Sequence, residues 1–306
     1  MKNLKKMLAS LVVVAMMASM ALVPAFAATL SYEKEAEQLN KVGLYLGISE
    51  TEFIPDLETL LDRQTGVVML LRMFGQEEEA KLLSDEEANS MLAKFTDAGT
   101  IADWAKKQVA YAVDKGVVKG YAEDSTFRPS AGLNGKAYCS LLLQQLGYDG
   151  DFDYHQAATK LAQVGGLNAS QAALFNSDAQ INKDSLVGIS YGALQAKTKA
   201  DGKKLVKLLL ENEVIKEEDL NDAEIPYADI TAVAEIADIT VDVGAEVKLP
   251  ETVTATYDNG TTADVAVTWP TVDTSSEGEQ TITGTIADTT ITASVKVIVV
   301  PAELRV

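Results

Sequence analysis

The pattern of apolar and polar residues divides the chain near residue 230. Before that point, apolar residues recur at helical spacing among Ala, Leu, Lys, Glu and Gln, which predicts a series of amphipathic helices. After it, Val, Thr and Ile alternate with polar residues, and turn residues recur about every 8–12 positions, as in a β-sandwich. The join, residues 217–231, is acidic and contains Pro226, and we interpret it as a linker. The pattern therefore predicts an all-α part, residues 28–216, followed by an all-β part, residues 232–300.

The helical part contains an internal repeat, which predicts three structural copies over 28–94, 95–150 and 151–216. In the middle copy, a helix over 102–115 ends at Gly116, a type of position where a left-handed residue is favoured. A loop then leads to a second helix that Asn134 can cap. Each copy is thus expected to be a helix, a loop and a second helix.

The spacing of landmarks supports the repeat. The glycine that ends the first helix and the apolar residue that precedes the second stand at Gly43 and Leu61, at Gly116 and Leu133, and at Gly165 and Ile181. Copies one and two are offset by 73 and 72 residues at these landmarks, and copies two and three by 49 and 48. In the loop, we match Phe53-Ile54-Pro55 of the first copy with Phe127-Arg128-Pro129 of the second.

Residues 1–27 have the three parts of a secretory signal peptide. Lysines precede an apolar run, Leu8–Val23, and Ala25-Phe26-Ala27 forms a cleavage site. The apolar run is shorter than the roughly 20 residues that span a bilayer, and no later segment is apolar enough to do so. The sequence therefore predicts a secreted protein with no transmembrane segment after cleavage.

Charge and composition exclude several classes of function. The chain carries a formal charge of -19, and without Lys2, Lys5 and Lys6 of the leader it carries 23 basic and 45 acidic residues, or -22. Such a charge argues against nucleic-acid binding, which needs a basic face. One His and one Cys leave little for a metal site or a disulfide framework, and no catalytic motif is present. We expect no cofactor, no metal and no enzymatic activity.

The middle copy resembles the S-layer homology repeat of bacterial surface proteins. The residues that carry the resemblance are Phe95-Thr96-Asp97, Trp104-Ala105, Gly116, Gly120-Tyr121 and Thr126-Phe127-Arg128-Pro129. With all three copies counted, the resemblance covers roughly residues 33–212. It implies a three-lobed helical bundle that anchors proteins non-covalently to a secondary cell-wall polysaccharide, often a pyruvylated one.

The resemblance also implies where a ligand would bind. The family uses a Thr-Arg-Ala-Glu-like run at the start of the second helix of each repeat. Only the first copy keeps Arg in register, as Arg63; the third has Lys183, and the second has Gly135 with Lys136 one place later. An arginine there can hold a carboxylate through two hydrogen bonds, whereas a lysine acts as a point charge. The candidate ligand-binding residues are therefore Arg63, Lys183 and Lys136, with Trp104 as a packing or sugar-stacking wall. An ordinary surface or core role is the alternative for each of them, and for Trp104 a core position is the expected one.

The all-β part resembles a bacterial immunoglobulin-like domain. The resemblance rests on residues spread through the module: Leu249-Pro250, Val253, Tyr257–Gly260, Val265, Val267–Trp269, Gly278, Thr283–Thr285 and Val295–Val297. It implies a spacer or a carbohydrate-contacting module. Asn259-Gly260 predicts a hairpin turn, and Trp269, in an alternating strand, is expected in the core.

Two functional hypotheses follow, together with a less favoured third. In the first, the protein is held at a bacterial cell wall, as in a Gram-positive organism, by its repeats binding secondary cell-wall polysaccharide, with other surface-layer proteins as further partners. In the second, it is a secreted carbohydrate-binding or adhesive protein whose immunoglobulin-like domain binds and whose repeats are a scaffold. In the third, it is the N-terminal anchoring part of a larger surface enzyme.

Overall fold

The computed structural model describes residues 31–49 and 51–302. The predicted signal peptide, residues 1–27, lies outside the described residues. Among the helices described, none has both the length and the apolar character needed to cross a membrane. The described chain has a helical part that ends at Asp222 and a strand-rich part that begins at Ile230, which confirms the predicted fold class.

The described helical part contains eleven α-helices. They are α1 (Glu33–Lys41), α2 (Arg63–Met73), α3 (Glu77–Lys81), α4 (Asp85–Leu92), α5 (Asp103–Asp114), α6 (Gly135–Gln145), α7 (Ala157–Gln163), α8 (Ala169–Phe175), α9 (Lys183–Ala193), α10 (Leu205–Glu211) and α11 (Glu217–Asp222). Two 3-10 turns, Ala98–Thr100 and Tyr154–Gln156, precede α5 and α7. The apolar faces of these helices share one hydrophobic core.

The second helices of the three copies, α2, α6 and α9, begin in the same way. Each has an Asp or Asn at its N-cap whose side chain accepts a hydrogen bond from the third residue of the helix: Asp62, Asn134 and Asn182. Such a cap satisfies one of the amide groups that a helix leaves without a partner. The predicted cap at Asn134 is confirmed.

A ring of three hydrogen bonds ties these helix starts together. The Leu61 amide donates to the Ile181 carbonyl at 2.8 Å, Leu133 donates to Leu61 at 3.0 Å, and Ile181 donates to Leu133 at 3.0 Å. Because each residue donates to the next in cyclic order, the three copies are arranged around a pseudo-threefold axis. The landmark spacing in the sequence therefore reflects real structural equivalence.

The copies depend on one another for their packing. Helix α5 packs on α2, α7 on α6, and α1 on α9. The first helix of each copy therefore packs against the second helix of the copy before it, and the N-terminal helix closes the ring onto the last copy. No copy buries its apolar face alone, as in other repeat architectures.

The predicted linker over 217–231 is wrong over its first nine residues. Residues 217–222 form α11, and Leu220, Ala223 and Ile225 are buried in the core of the bundle. The Gln38 amide also donates to the Ala223 carbonyl at 2.7 Å. The acidic residues that suggested a linker form the first turn of α11, where negative charge favours the helix dipole. The connection is therefore short, and the first strand begins at Ile230.

The strand-rich part packs two three-stranded sheets face to face. The strands are β1 (Ile230–Val233), β2 (Ile239–Asp242), β3 (Thr252–Tyr257), β4 (Thr262–Ala266), β5 (Gly278–Thr285) and β6 (Thr292–Val300). The sheet orders are β1-β3-β4 and β2-β6-β5, with β2 parallel to β6 and the other pairs antiparallel. Burial alternates along β3 and β6, as expected for strands with one face in a core.

Two features predicted for the sandwich can be compared with the structure. Trp269 packs against both core clusters, and its indole N–H donates to the Pro250 carbonyl at 2.7 Å, so its predicted core role is confirmed. The predicted hairpin at Asn259-Gly260 joins β3 to β4, but Gly260 (φ 80°) alone of that pair is left-handed. Tyr257 bonds across to Thr261, so the loop has three residues rather than two.

Candidate functional site

The starts of α2 and α9 each meet the loop of the next copy in the ring. The Arg63 and Gln64 amides donate to the carbonyls of Ala131 and Pro129, at 2.9 and 3.0 Å. The start of α9 repeats this pattern against Thr59 and Leu57. We use the word groove for the space between such a helix start and the neighbouring loop. The first, second and third grooves are those at Arg63, at Gly135, which holds the same position at the start of α6, and at Lys183.

These hydrogen bonds correct the alignment of the loops. Leu57 corresponds to Pro129, so Asp56 corresponds to Arg128 and Pro55 to Phe127. Asp56 (φ 52°) and Arg128 (φ 60°) are both left-handed, an unusual conformation for residues with a side chain, which supports the equivalence. The match of Phe53–Pro55 with Phe127–Pro129 is therefore wrong by two residues.

In the first groove, Arg63 stands beside aromatic rings. Its guanidinium carbon lies 5.0 Å from the ring centroid of Phe127 and 5.3 Å from that of Tyr121. Its Nη2 donates to the Lys119 carbonyl at 2.5 Å, whereas Nε is buried and has no hydrogen-bond partner among the described residues. Burial, and secondarily the charge of Arg128, lowers the pKa of Arg63 from its ordinary value. Within the described part of the chain, no carboxylate pairs with Arg63.

Arg128 is a second cation at this groove, and the sequence motifs gave it no role. Its guanidinium carbon lies 3.8 Å from the ring centroid of Tyr121, so both arginines contact the same ring. Its Nη2 donates to Asp124 at 2.8 Å and its Nε to the Thr126 hydroxyl at 3.1 Å. The positive charge of Arg128, at the edge of the groove, is therefore already partly neutralised by Asp124.

Asp97 holds the left-handed loop in place. Its two carboxylate oxygens accept the Phe127 and Arg128 amides, each at 2.7 Å. Such charge-assisted bonds are about twice as strong as neutral ones. The Phe95-Thr96-Asp97 segment thus positions the aromatic wall of the first groove.

In the third groove, the candidate cation, Lys183, is already neutralised by a carboxylate. The Lys183 ammonium bonds the Asp56 carboxylate at 2.5 Å, and their side chains are 15 % and 25 % exposed. The hydrogen bond from Lys183 lowers the pKa of Asp56 below its usual value. The aromatic wall is also missing, because Ile48 and Pro55 stand where the first groove has Tyr121 and Phe127.

In the second groove, the chain's own backbone fills the space. A Cβ added to Gly135 would lie 2.5 Å from the Phe175 carbonyl oxygen, so no side chain fits there. Lys136 is 2 % exposed, forms an ion pair with Asp178, and lies 5.6 Å from the Tyr154 ring centroid. Lys136 is therefore a buried, paired cation that does not face an open groove.

Trp104 does not take the core position expected for it. Its side chain is 56 % exposed near the start of α5, whereas Ala105, Val109 and Ala112 occupy the buried face of that helix. The Ala102 amide donates to Gln64 Oε1 at 3.0 Å, which ties the start of α5 to the residue after Arg63. Trp104 therefore offers an indole to solvent at a helix start bonded to the Arg63 helix.

The single Cys and the single His of the chain lie in different environments. Cys139 is fully buried and free, and burial raises the pKa of its thiol. His155 is exposed in the 3-10 turn before α7. Across residues 31–49 and 51–302, no group of three or more His, Cys, Asp or Glu side chains is arranged to hold a metal ion.

Comparison with protein families identifies two modules in the chain. Residues 94–135 match the S-layer homology domain, and residues 235–289 match the bacterial Ig-like domain (group 4). The first match spans the Asp97 loop support, α5, Tyr121 and Arg128. A search of curated proteins finds no match. The chain therefore carries an S-layer homology domain followed by a bacterial Ig-like domain, a combination that indicates a bacterial cell-surface protein.

Proposed function

We propose that this protein is a non-catalytic, exported anchor that binds an anionic cell-wall polysaccharide through the Arg63 groove. Three pseudo-equivalent grooves surround the axis, but they differ in the charge they offer. The observation that carries the proposal is that Arg63 lies beside two aromatic rings with no carboxylate partner in the described chain. Lys183 and Lys136 are each paired with an aspartate instead.

The groove has the chemistry of a site for an acidic sugar. A guanidinium can bind a carboxylate through two parallel hydrogen bonds, and the one side-chain hydrogen bond of Arg63 among the described residues goes to a backbone carbonyl, not to a carboxylate. Tyr121 supplies a ring against which a sugar can pack, and the exposed Trp104 supplies a second aromatic surface near the same helix. A carboxylate-bearing sugar, such as one carrying a pyruvate ketal, matches this set of groups.

The net charge of the protein does not prevent such binding. Without the leader the chain carries -22, so its long-range field repels an anionic polymer. At physiological ionic strength this field is screened over about 8–10 Å. Binding then depends on the local charge in the groove, where Arg63 and Arg128 are 5.3 and 3.8 Å from one tyrosine ring.

The Ig-like domain acts in this proposal as a spacer that projects from the wall or joins a surface array. The alternative, in which this domain binds carbohydrate and the repeats are a scaffold, has less support. Trp269, the tryptophan of this domain, packs against its core, and its indole N–H donates to the Pro250 carbonyl.

Co-sedimentation of the full chain with purified Gram-positive sacculi tests the proposal. We expect the protein to sediment with intact sacculi and to stay in solution once the secondary polysaccharide is stripped. Arg63→Ala should weaken binding at least about tenfold, since a hydrogen bond to a charged group contributes about 1.5–3 kcal/mol and 1.4 kcal/mol is tenfold in affinity.

Lys216→Ala is the matched control, because it removes one positive charge from an exposed position of the same bundle. It should bind as the parent chain does. Unchanged sedimentation of Arg63→Ala, or equal binding to stripped sacculi, would contradict the proposal. Circular dichroism of each variant confirms that the bundle is intact.

A further inference from the structure

A cavity borders the chain segment that Arg63 contacts. It measures about 440 Å³ and is open to solvent, and its lining includes Lys94, Phe95, Val118, Lys119 and Tyr121. This volume is within the range of small-ligand sites, about 300–1,000 Å³. Neither the motif residues nor the family comparison assigns it a ligand.

At this cavity, Gly120 lets an aromatic ring approach the backbone closely. A Cβ at Gly120 would lie 2.1 Å from a ring carbon of Phe95 and 2.7 Å from the Thr126 carbonyl oxygen. Without a side chain at Gly120, the ring of Phe95 packs against the 118–122 segment and forms the apolar floor. Gly116, which ends α5, borders the cavity beside it.

The charge at the rim of the cavity is positive. Lys94 and Lys119 both line it, and neither forms an ion pair within the described residues, unlike most lysines of the bundle. The Lys94 ammonium lies 5.4 Å from the ring centroid of Phe95, so it sits over the cavity floor. In a chain this acidic, two lysines without carboxylate partners beside one apolar floor favour an anionic ligand with an apolar face, which describes an acidic sugar.

The cavity shares residues with the Arg63 groove. Tyr121 lines the cavity and also faces both arginines, and Arg63 donates to the carbonyl of Lys119, another lining residue. A chain of sugars that leaves the groove across the 118–122 segment therefore meets this cavity next.

We propose that this cavity is a second subsite, with Lys94 and Lys119 as its cations, for a neighbouring acidic sugar of the same polymer. The proposal rests on the polysaccharide binding proposed above. It means that the site recognises at least two units of the polymer, and that affinity grows with ligand length until both subsites are occupied.

The length dependence of binding provides the test. The probe is the secondary polysaccharide released from Gram-positive sacculi by mild acid and separated by size into short and long fragments. Isothermal titration of the full chain should give an affinity at least about tenfold higher for long fragments than for single repeat units. The Lys94→Ala/Lys119→Ala double variant should bind single repeat units as the parent chain does but lose this gain.

Controls separate this proposal from the one on which it rests. Lys34→Ala/Lys216→Ala removes two exposed positive charges elsewhere on the bundle and should keep the gain with length. Arg63→Ala should weaken binding of every fragment. If the parent chain binds no fragment, the anchoring proposal fails. Two outcomes would overturn the second subsite when the parent chain does bind the fragments. In one, the Lys94→Ala/Lys119→Ala variant keeps the full gain in affinity with length. In the other, its affinity for single repeat units falls by the same factor as its affinity for long fragments.

Discussion

At the scale of single residues, the pseudo-threefold arrangement makes the three grooves internal controls for one another. The same helix position holds Arg63, Gly135 and Lys183, and the surrounding residues decide what each can do. Where the neighbouring loop carries an aspartate, as beside Lys183, an internal ion pair neutralises the cation. Where it carries Arg128 and two aromatic rings, the cation remains available to a ligand.

The carboxylate of Asp97 supports the loop that carries Phe127 and Arg128. Asp97→Asn replaces the carboxylate that accepts two backbone amides at 2.7 Å with an amide that offers one acceptor oxygen. We expect the free energy of unfolding to fall by about 1–3 kcal/mol, and we expect weaker binding to sacculi because the loop carrying Phe127 and Arg128 loses its support. Urea denaturation and co-sedimentation measure the two effects. Asp103→Asn, a fully exposed site at the start of α5, is the control, and equal losses in both variants would contradict the role of Asp97.

At the scale of elements, the structure predicts that the missing arginine of the second copy cannot simply be restored. Gly135→Arg recreates the family pattern at the start of α6. The new Cβ would however lie 2.5 Å from the Phe175 carbonyl and 2.9 Å from its Cβ, so the end of α8 would have to move. We expect a loss of about 1–3 kcal/mol in the free energy of unfolding, as for an overpacked core, and no second binding site.

Thermal unfolding and the number of fragments bound per chain measure this outcome. Gly99→Ala is the matched control, because a Cβ there meets nothing within 4 Å and its backbone is not left-handed. It should leave the melting temperature nearly unchanged. A Gly135→Arg variant that is as stable as the parent chain and binds two fragments would show that the second groove is open.

The sequence predicts elements better than the details that decide function. The cap at Asn134 could be predicted because a side-chain oxygen before a helix accepts a hydrogen bond from a nearby amide of the same helix. The 72-residue offset between the first two copies could be predicted because the same landmarks recur in both. The register of the loop could not be predicted from the sequence, since the tight turn at Gly47 is one residue farther from its loop than Gly120 is. The exposure of Trp104 and the burial of Leu220 depend on which helices pack beside them, which periodicity in one segment does not specify.

In the candidate site too, some features could be predicted from the sequence and others depend on the fold. Arg63 is found from the family pattern, because its chemistry is local to the helix start. The pairing of Lys183 with Asp56 and of Lys136 with Asp178 brings together residues 127 and 42 positions apart. Only the fold shows that these lysines are already neutralised and that Arg63 is not.

At the scale of the whole molecule, the bundle and the Ig-like domain meet through a charged junction. Lys207 of α10 bonds both Asp229, in the connection, and Asp258, in the turn between β3 and β4. Lys204 adds a second bond to Asp229 at 2.8 Å, and Asn259 donates to the Tyr227 hydroxyl at 3.1 Å. A spacer that must project from the wall benefits from such a junction, because a short connection alone would not fix its direction.

Removing the central cation should loosen the two parts without unfolding either. Lys207 is 19 % exposed and makes two ion pairs that link α10 to the sandwich, and pairs of this kind contribute about 1 kcal/mol or less each. We therefore expect Lys207→Ala to keep the melting behaviour of the bundle close to that of the parent chain. The two parts should then tumble more independently in NMR relaxation, and small-angle scattering should give a larger radius of gyration. Lys203→Ala is the control, because Lys203 pairs with Glu211 of its own helical segment. Identical scattering and tumbling of the Lys207→Ala variant and the parent chain would show that the direction of the Ig-like domain is set by the remaining contacts at Tyr227 and Asp229 instead.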